Sequence, residues 1–270
     1  MNVLETRTRE ARASGRKLLT PYVTGGITPD WTDYLRAYVG AGADVIEIGL
    51  PFSDPMLDGP TVQQASDRAL RRGATVDGIL ADVASLRLDV PLVAMTYANL
   101  ALRDGFCAAL AAAGISGLIV PDVPVDEVDE LSAAAARHGV DLVLMAAPST
   151  APSRLRVIAE RSRGFVYAVS LMGTTGEQSS LPDSGRSLAT SVRELTDLPV
   201  QVGFGVSLPD HAAEAARYAD GVIVGSALMR RVLDGAGPEE IGAILARMRA
   251  ALDDQGQDGW ARSDGNRSTR

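Results

Sequence analysis

The sequence predicts an α/β fold: a (β/α)8 barrel with an extra N-terminal helix and a disordered C-terminal tail. Eight short β-rich apolar runs alternate with helical stretches rich in Ala, Leu and Arg, and 270 residues is close to the usual length of such a barrel. Each β-rich run is a continuous apolar stretch rather than an alternation of apolar and polar residues, as expected for parallel strands buried on both faces. A doubly wound open sheet is the competing arrangement.

The elements follow one another in a regular order. The strand candidates are residues 18–23, 45–49, 92–96, 117–120, 141–146, 165–170, 200–203 and 221–224. The helical patterns between and after them cover residues 31–41, 62–71, 76–86, 105–113, 125–137, 153–161, 187–195, 209–217, 227–233 and 239–252. We expect Asp30, Asp122 and Asp210 to lie at helix starts, and Gly114 and Gly139 to end helices.

The length fits either one barrel-sized domain or two small ones, and the regular alternation favours a single catalytic barrel over residues 1–254. Residues 255–270 are polar, Gly-rich and aperiodic, which is typical of a disordered tail. No apolar run approaches the roughly 20 residues that cross a bilayer. The N-terminus lacks the apolar segment of a signal peptide, and a single cysteine, Cys107, excludes an intramolecular disulfide. We therefore expect a cytoplasmic protein.

The scarcity of certain residue types excludes several chemistries. The net charge of −8 argues against a nucleic-acid partner. Lys17 is the only lysine, and it begins the first strand, about 20 Å from the catalytic end, so Schiff-base and pyridoxal chemistry is not expected. His138 and His211 are the only histidines and lie in helical patterns, so we expect no metal site. Proton transfer by carboxylates remains.

Three carboxylates lie where such chemistry is expected, in the stretch IEIGLPFSDPMLDGP over residues 46–60. Glu47 interrupts an apolar strand near its end, and Asp54 and Asp58 lie in the loop that follows. In a parallel barrel the C-terminal ends of the strands carry the active site. A buried carboxylate costs several kcal/mol unless it is paired, so Glu47 either pairs with an arginine or has a catalytic role. Asp54 and Asp58 fit turn formation as well as catalysis.

Glycine-rich sequences follow the last two strands. Residues 203–207 read GFGVS, and Gly225-Ser226-Ala227 opens a helix. Glycines permit close backbone approach, and free N–H groups at a helix start favour an anion. Together these loops predict a phosphorylated substrate. The long polar loop over residues 171–184 is either an active-site lid or a flexible insertion.

These motifs resemble the tryptophan synthase alpha chain family over residues 17–233. The matching segments are PYVT at 21–24, EIGLPFSDP at 47–55, DGPT at 58–61, MTYAN at 95–99, VPDVP at 120–124, YAVS at 167–170, Gly173 with Thr175-Gly176, GFGVS at 203–207 and GS at 225–226. The resemblance implies a TIM barrel that cleaves indole-3-glycerol phosphate to indole and glyceraldehyde 3-phosphate in tryptophan biosynthesis. It also implies an α2β2 heterotetramer in which pyridoxal phosphate belongs to the β subunit, with no cofactor and no metal in this chain.

The resemblance also implies roles for individual residues. Glu47 matches the general acid–base, and Asp58 matches the carboxylate that interacts with the indole N–H. The residues that match the wall of the indole pocket are Tyr22, Tyr97, Tyr167 and Phe204, and those that match the phosphate cradle are Gly176, Gly205, Gly225 and Ser226. Thr175 matches a lid threonine that bonds the catalytic aspartate. The sequence departs from the family pattern at Tyr22, where Phe is frequent, and at Gln178, where Arg is common.

Three functions remain open on the sequence. The chain is an α subunit acting in a complex, a stand-alone lyase that releases free indole, or a non-catalytic ligand-binding regulatory subunit. The intact Glu47 and Asp58 pair argues against the third.

Overall fold

The computed structural model describes residues 2–169, 183–203 and 205–264, with side chains as far as Gln255. Eight parallel strands close into a barrel in the order β1 to β8, and β8 pairs with β1. This confirms the predicted (β/α)8 barrel and excludes the open sheet. The strands are β1 Leu18–Thr24, β2 Ile46–Gly49, β3 Leu92–Met95, β4 Ile115–Ile119, β5 Asp141–Ala146, β6 Val166–Ala168, β7 Val200–Val202 and β8 Gly221–Val224.

Helices cover the outside of the barrel. They are α1 Val3–Ala13, α2 Trp31–Gly40, α3 Pro60–Arg71, α4 Val76–Ala84, α5 Ala98–Ala101, α6 Phe106–Ala112, α7 Asp129–Arg137, α8 Pro152–Arg161, α9 Asp183–Arg193, α10 Pro209–Ala216, α11 Ser226–Leu233 and α12 Pro238–Asp264. Over the described ranges, none of these helices combines the length and apolarity needed to span a membrane. The first residues of the predicted tail continue α12 as far as Asp264. The domain boundary at residue 254 stays a prediction.

Two helical segments differ from the pattern that the sequence predicts. Residues 125–137 form a 3-10 turn, Val125–Glu127, followed by α7, and Val128 between them keeps a helical φ of −81° but has a ψ of only −2°. Helix α5 was not predicted, since four residues are too few to show a helical periodicity. Its first amide, Ala98 N, donates 2.9 Å to Asp122 Oδ1, so this aspartate serves a neighbouring element. Asp30 lies at the N-cap of α2 but makes no capping bond through its side chain.

Side chains along each strand point alternately into the barrel and toward the helices. The interior is filled by a buried apolar cluster whose members are Leu4, Val45, Val93, Ile119, Val143, Phe165 and Ile223. Glu47 lies two residues after Val45 on β2 and therefore points into the same interior, nearer the C-terminal end of the strand. A charge-bearing side chain thus lies in an apolar barrel at the end where loops leave the sheet.

Helix α1 closes the opposite end of the barrel. Leu4 is fully buried there, so close to Gly164 that a Cβ atom on that glycine would lie 2.6 Å from Leu4 Cδ2. Asp141 fixes the start of the helix, because its carboxylate accepts bonds from Asn2 Nδ2 at 2.8 Å and from Glu5 N at 3.0 Å. Access to the interior is therefore left to the C-terminal ends of the strands.

Candidate active site

Glu47 lies in the sheet between two neighbouring strands, level with Tyr22 on β1 and Val93 on β3. Only 2% of its surface is exposed, and its Oε2 atom has no hydrogen-bond partner among the residues described. No arginine pairs with it within that part of the chain, so the alternative of a structural ion pair is not observed. Burial, and after it the Asp58 carboxylate, raises the pKa of Glu47 to about 8. The side chain is therefore a carboxylic acid at neutral pH, and it can donate its proton to a substrate.

Asp58 is held in the loop after β2 by three hydrogen bonds around it. Tyr97 Oη donates to Asp58 Oδ2 at 3.0 Å and itself accepts from Leu57 N at 3.1 Å. Gln63 Nε2 donates to the Asp58 carbonyl oxygen at 2.9 Å. Burial raises the pKa of Asp58 to about 6, and the Tyr97 hydrogen bond opposes this shift by stabilising the charged form. Asp58 is therefore a partly buried anion at neutral pH.

The two carboxyl groups thus differ in protonation at the same pH. Between about pH 6 and pH 8, the pKa values leave Asp58 ionised and Glu47 protonated. A pair of carboxyl groups whose environments separate their pKa values is typical of acid–base sites. Asp54 is different, because it is exposed and its Oδ2 accepts 2.6 Å from the neighbouring Ser53 hydroxyl. The turn interpretation fits Asp54.

Aromatic side chains surround the carboxyl pair. Tyr22 lies over Gly49, where an added Cβ atom would lie 1.9 Å from Tyr22 Oη, and its hydroxyl lies 3.1 Å from Thr24 Oγ1. Tyr167 lies over Gly203 in the same way, with 2.4 Å to an added Cβ atom. Burial, followed by the charges of the two site carboxylates, raises the pKa values of both tyrosines. Tyr22 is also the direct neighbour of Glu47 in the sheet.

Tyr97 completes the wall on the side of Asp58. Its ring stacks on Phe52, with ring centroids 5.1 Å apart. Stacking and the hydrogen bonds of the hydroxyl fix the ring at both ends. Three residues assigned by resemblance, Thr175, Gly176 and Phe204, lie outside the described residues, as does Gln178, where the sequence departs from the family pattern.

A helix start lies next to this wall and has the features of an anion site. Gly225 is the N-cap residue of α11, and a Cβ atom added to it would lie 3.6 Å from Tyr22 Cβ. Ser226 is the first, exposed residue of the helix, where backbone N–H groups lack helical partners. Gly205, in the loop after β7, has a φ of +71°, and its carbonyl oxygen lies 3.1 Å from His211 Nδ1.

The sequence did not reveal that His211 contacts the loop after β7. Its Nδ1 atom also lies 3.3 Å from Ser207 Oγ, so one buried imidazole contacts two parts of the loop after β7. Its position in a helix start gave only the negative indication that it is no metal ligand. Within the described part of the chain, no three His, Cys, Asp or Glu side chains gather as a metal site would require.

A cavity of about 530 Å³ lies between the loops after β4 and β5, away from the carboxyl pair. Val120, Pro121, Leu144 and Met145 give it apolar walls, and its one arginine, Arg154, forms an ion pair with Asp126. No carboxyl group of the described residues lines it. It therefore offers no acid–base chemistry, and the site at Glu47 remains the candidate.

Known proteins are similar to this chain in sequence and in fold. The sequence profile of the family described as tryptophan synthase alpha chain matches residues 8–253. The tryptophan synthase alpha chain of Chloroflexus aurantiacus is 47% identical, over 89% of this chain and 94% of its own length. That of Carboxydothermus hydrogenoformans is 45% identical over 82% and 85%.

Solved structures show the same similarity. A chain of Mycobacterium tuberculosis tryptophan synthase superimposes with a TM-score of 0.86 at 40% identity, over 93% of this chain and 98% of that one. Tryptophan synthase subunit alpha of Legionella pneumophila gives 0.84 at 32% identity, over 94% and 99%. With a family profile over most of its length and relatives of this identity, the chain belongs to the tryptophan synthase alpha chain family.

Proposed function

We propose that Glu47 and Asp58 carry out the cleavage of indole-3-glycerol phosphate to indole and glyceraldehyde 3-phosphate in this chain. As a member of its family the chain is a lyase. The observation that supports the residue assignment is the protonation of the pair: a buried carboxylic acid, with no hydrogen-bond partner for its Oε2 atom in the described part of the chain, beside a hydrogen-bonded carboxylate in the mouth of a closed barrel. Such a pair supplies a proton donor and a fixed anion at one pH.

The proposed reaction uses one carboxyl group twice. Protonated Glu47 transfers its proton to ring carbon C3, which places positive charge on the ring nitrogen and leaves Glu47 ionised. The carboxylate then removes the proton of the adjacent glycerol hydroxyl. The electrons of that O–H bond form the aldehyde C=O, the bond from C3 to the glycerol carbon breaks, and its electron pair restores the aromatic ring. Glu47 ends protonated, as it began.

Asp58 stabilises the intermediate through the ring nitrogen. The charge on nitrogen exists only after C3 is protonated, so a fixed carboxylate near the N–H group favours the intermediate over the substrate. Tyr97 holds that carboxylate in place by its 3.0 Å hydrogen bond and lowers its pKa. In this proposal Tyr22 and Tyr167, each packed over a glycine, are the walls against which the flat indole ring lies.

We propose further that the phosphate group lies at the start of α11 and the loop after β7. Gly225 lies beside Tyr22, so an anion at this helix start would be next to the aromatic pocket. Backbone amides would supply the donors. Gly205→Asp or Ser226→Asp places a like charge there, and the Michaelis constant for substrate should rise at least about tenfold. Glycerol phosphate should compete with substrate at millimolar concentration.

The partner in this proposal is a β subunit that holds pyridoxal phosphate, in a cytoplasmic α2β2 complex. Met56 and Leu57 in the loop after β2, and Leu102 in the loop after β3, are large apolar side chains exposed to 75%, 41% and 56%. They come from neighbouring loops at the catalytic end, where apolar exposure marks contact surfaces. A β subunit docking there should activate cleavage at least about tenfold. Thr175→Val should lower both the basal rate and the activation.

A product assay tests the proposed function. The purified chain, with and without the β subunit of the same organism, is incubated with indole-3-glycerol phosphate, and indole and glyceraldehyde 3-phosphate are measured. We expect equal amounts of both, little activity in Asp58→Asn and near wild-type activity in the matched loop variant Asp54→Asn. Binding of glycerol phosphate without any turnover would instead indicate a non-catalytic ligand-binding subunit. A fast rate that the β subunit leaves unchanged would indicate a stand-alone lyase.

A further inference from the structure

Arg230 connects two helices on the outside of the catalytic end. From the fifth residue of α11 its guanidinium reaches α3, where it donates to Thr61 Oγ1 at 3.0 Å and to Gln64 Oε1 at 3.2 Å. Both acceptors are neutral, and among the described residues no carboxylate lies within ion-pair distance of Arg230. A guanidinium that makes two bonds at once fixes orientation as well as distance.

The two helices that it joins begin at the two ends of the proposed site. Helix α11 starts at Ser226, four residues before Arg230, and its N-cap Gly225 lies against Tyr22. Helix α3 starts at Pro60, two residues after Asp58. Arg230 therefore links α11, which begins at the proposed phosphate site, to α3, which begins just after Asp58.

The first turn of α3 is bonded in turn to the carboxylate loop. Gln63, which lies between the two acceptors of Arg230, donates through Nε2 to the carbonyl oxygens of Asp58 at 2.9 Å and Pro55 at 3.3 Å. A shift of this turn would move the backbone that carries Asp58. A continuous set of bonds thus runs from α11 through Arg230 and the first turn of α3 to Asp58.

We propose that Arg230 is a positioning residue that couples occupancy of the phosphate end to the placement of Asp58. The inference rests on the proposed function, because it uses the phosphate and indole ends assigned there. An anion bound at the start of α11 restricts the motion of that helix end. Through the hydrogen bonds of Arg230, the first turn of α3 and the Asp58 carboxylate that contacts the indole N–H are then restricted as well. By linkage, each ligand then raises the affinity for the other by the same factor.

The experiment measures this factor with two separate ligands, glycerol phosphate for the phosphate end and indole for the aromatic end. In the wild-type chain, saturating glycerol phosphate should raise indole affinity about fivefold or more. In Arg230→Gln the factor should fall to near one, while each ligand alone still binds within about threefold of wild type. Arg231→Gln is the matched control, since Arg231 is the next exposed arginine on α11 and does not make these bonds to α3.

Further variants test the path itself. Thr61→Val removes one acceptor of Arg230 with little change of shape, and it should lower the factor in the same direction. The double variant Thr61→Val/Arg230→Gln should lose no more of the coupling factor than Arg230→Gln alone, since both changes break the same connection between α11 and α3. An unchanged factor in Arg230→Gln, or an equal loss in Arg231→Gln, would overturn the proposal, as would a wild-type factor of one. Failure of either ligand to bind the wild-type chain would instead refute the assignment of that end of the proposed site and remove the basis of the coupling.

Discussion

Replacing Glu47 by glutamine should change how the stability of the protein depends on pH. The environment of this buried side chain raises its pKa from the ordinary 4.5 to about 8, so the folded chain holds the proton more tightly than the unfolded chain. Its contribution to the free energy of unfolding is therefore fully present below about pH 4.5 and is lost as pH rises through about 8. Glutamine has a similar shape and does not ionise, so the variant lacks this loss.

The size of the stability difference follows from the pH range between the ordinary pKa of Glu47, 4.5, and its pKa in the folded chain, about 8. Each pH unit inside it is worth about 1.4 kcal/mol. Allowing for relaxation around the charge, we expect the variant to gain roughly 3 kcal/mol over wild type between pH 5 and pH 8. For a chain of this size that gain corresponds to roughly 6–12 °C in Tm.

Thermal unfolding of both proteins from pH 5 to pH 8.5 measures this difference directly. Other titrating groups contribute nearly equally to the two proteins and cancel in the difference, and Asp54→Asn controls for the loss of an exposed carboxylate from the same region. A difference in Tm that does not change with pH would refute the reasoning. So would a wild-type protein that gains on the variant as pH rises, because Glu47 would then be ionised and satisfied in the folded state.

Three further outcomes are expected. Tyr97→Phe removes the hydrogen bond that lowers the pKa of Asp58, so the acidic limb of the activity–pH profile should move up by about one pH unit. An acidic limb that does not move would show that the ionisation of Asp58 does not control catalysis. Gly203→Ala places a methyl group about 2.4 Å from the Tyr167 ring and should lower kcat/KM about tenfold or more, with folding judged by circular dichroism. Leu4→Ala empties the closed end of the barrel and should cost about 2–5 kcal/mol in urea unfolding, with the Michaelis constant unchanged.

The sequence predicts the barrel and its strands well because the signals are local. Continuous apolar runs mark strands buried on both faces, and Glu47 stands out as a carboxylate inside one of them. Once the strand is placed, the direction of this side chain follows from the alternation of side chains between the two faces. The protonation of the pair does not follow, since it depends on the burial of Glu47 and on the hydroxyl of Tyr97, which is 39 residues from Asp58 in the chain.

Contacts between distant segments account for what the sequence could not predict. Leu4 belongs to a polar N-terminal helix, and only the closed barrel shows that this one side chain fills its end. His211 and Arg230 lie in ordinary helical patterns, and their roles depend on which loop or helix packs against them. Residue type and spacing carry no information on such partners.

The central claim is that Glu47 both gives and takes the proton in cleavage. Single-turnover release of glyceraldehyde 3-phosphate from indole-3-glycerol phosphate tests it, with wild type and Glu47→Gln compared in the β-subunit complex, which is in excess over the substrate and concentrated enough to bind all of it. We predict a loss of at least about 10²–10⁴-fold in the variant, because general acid–base catalysis is worth that much, with glycerol phosphate binding unchanged. Near wild-type release by Glu47→Gln would contradict the claim and assign the proton transfers to another group.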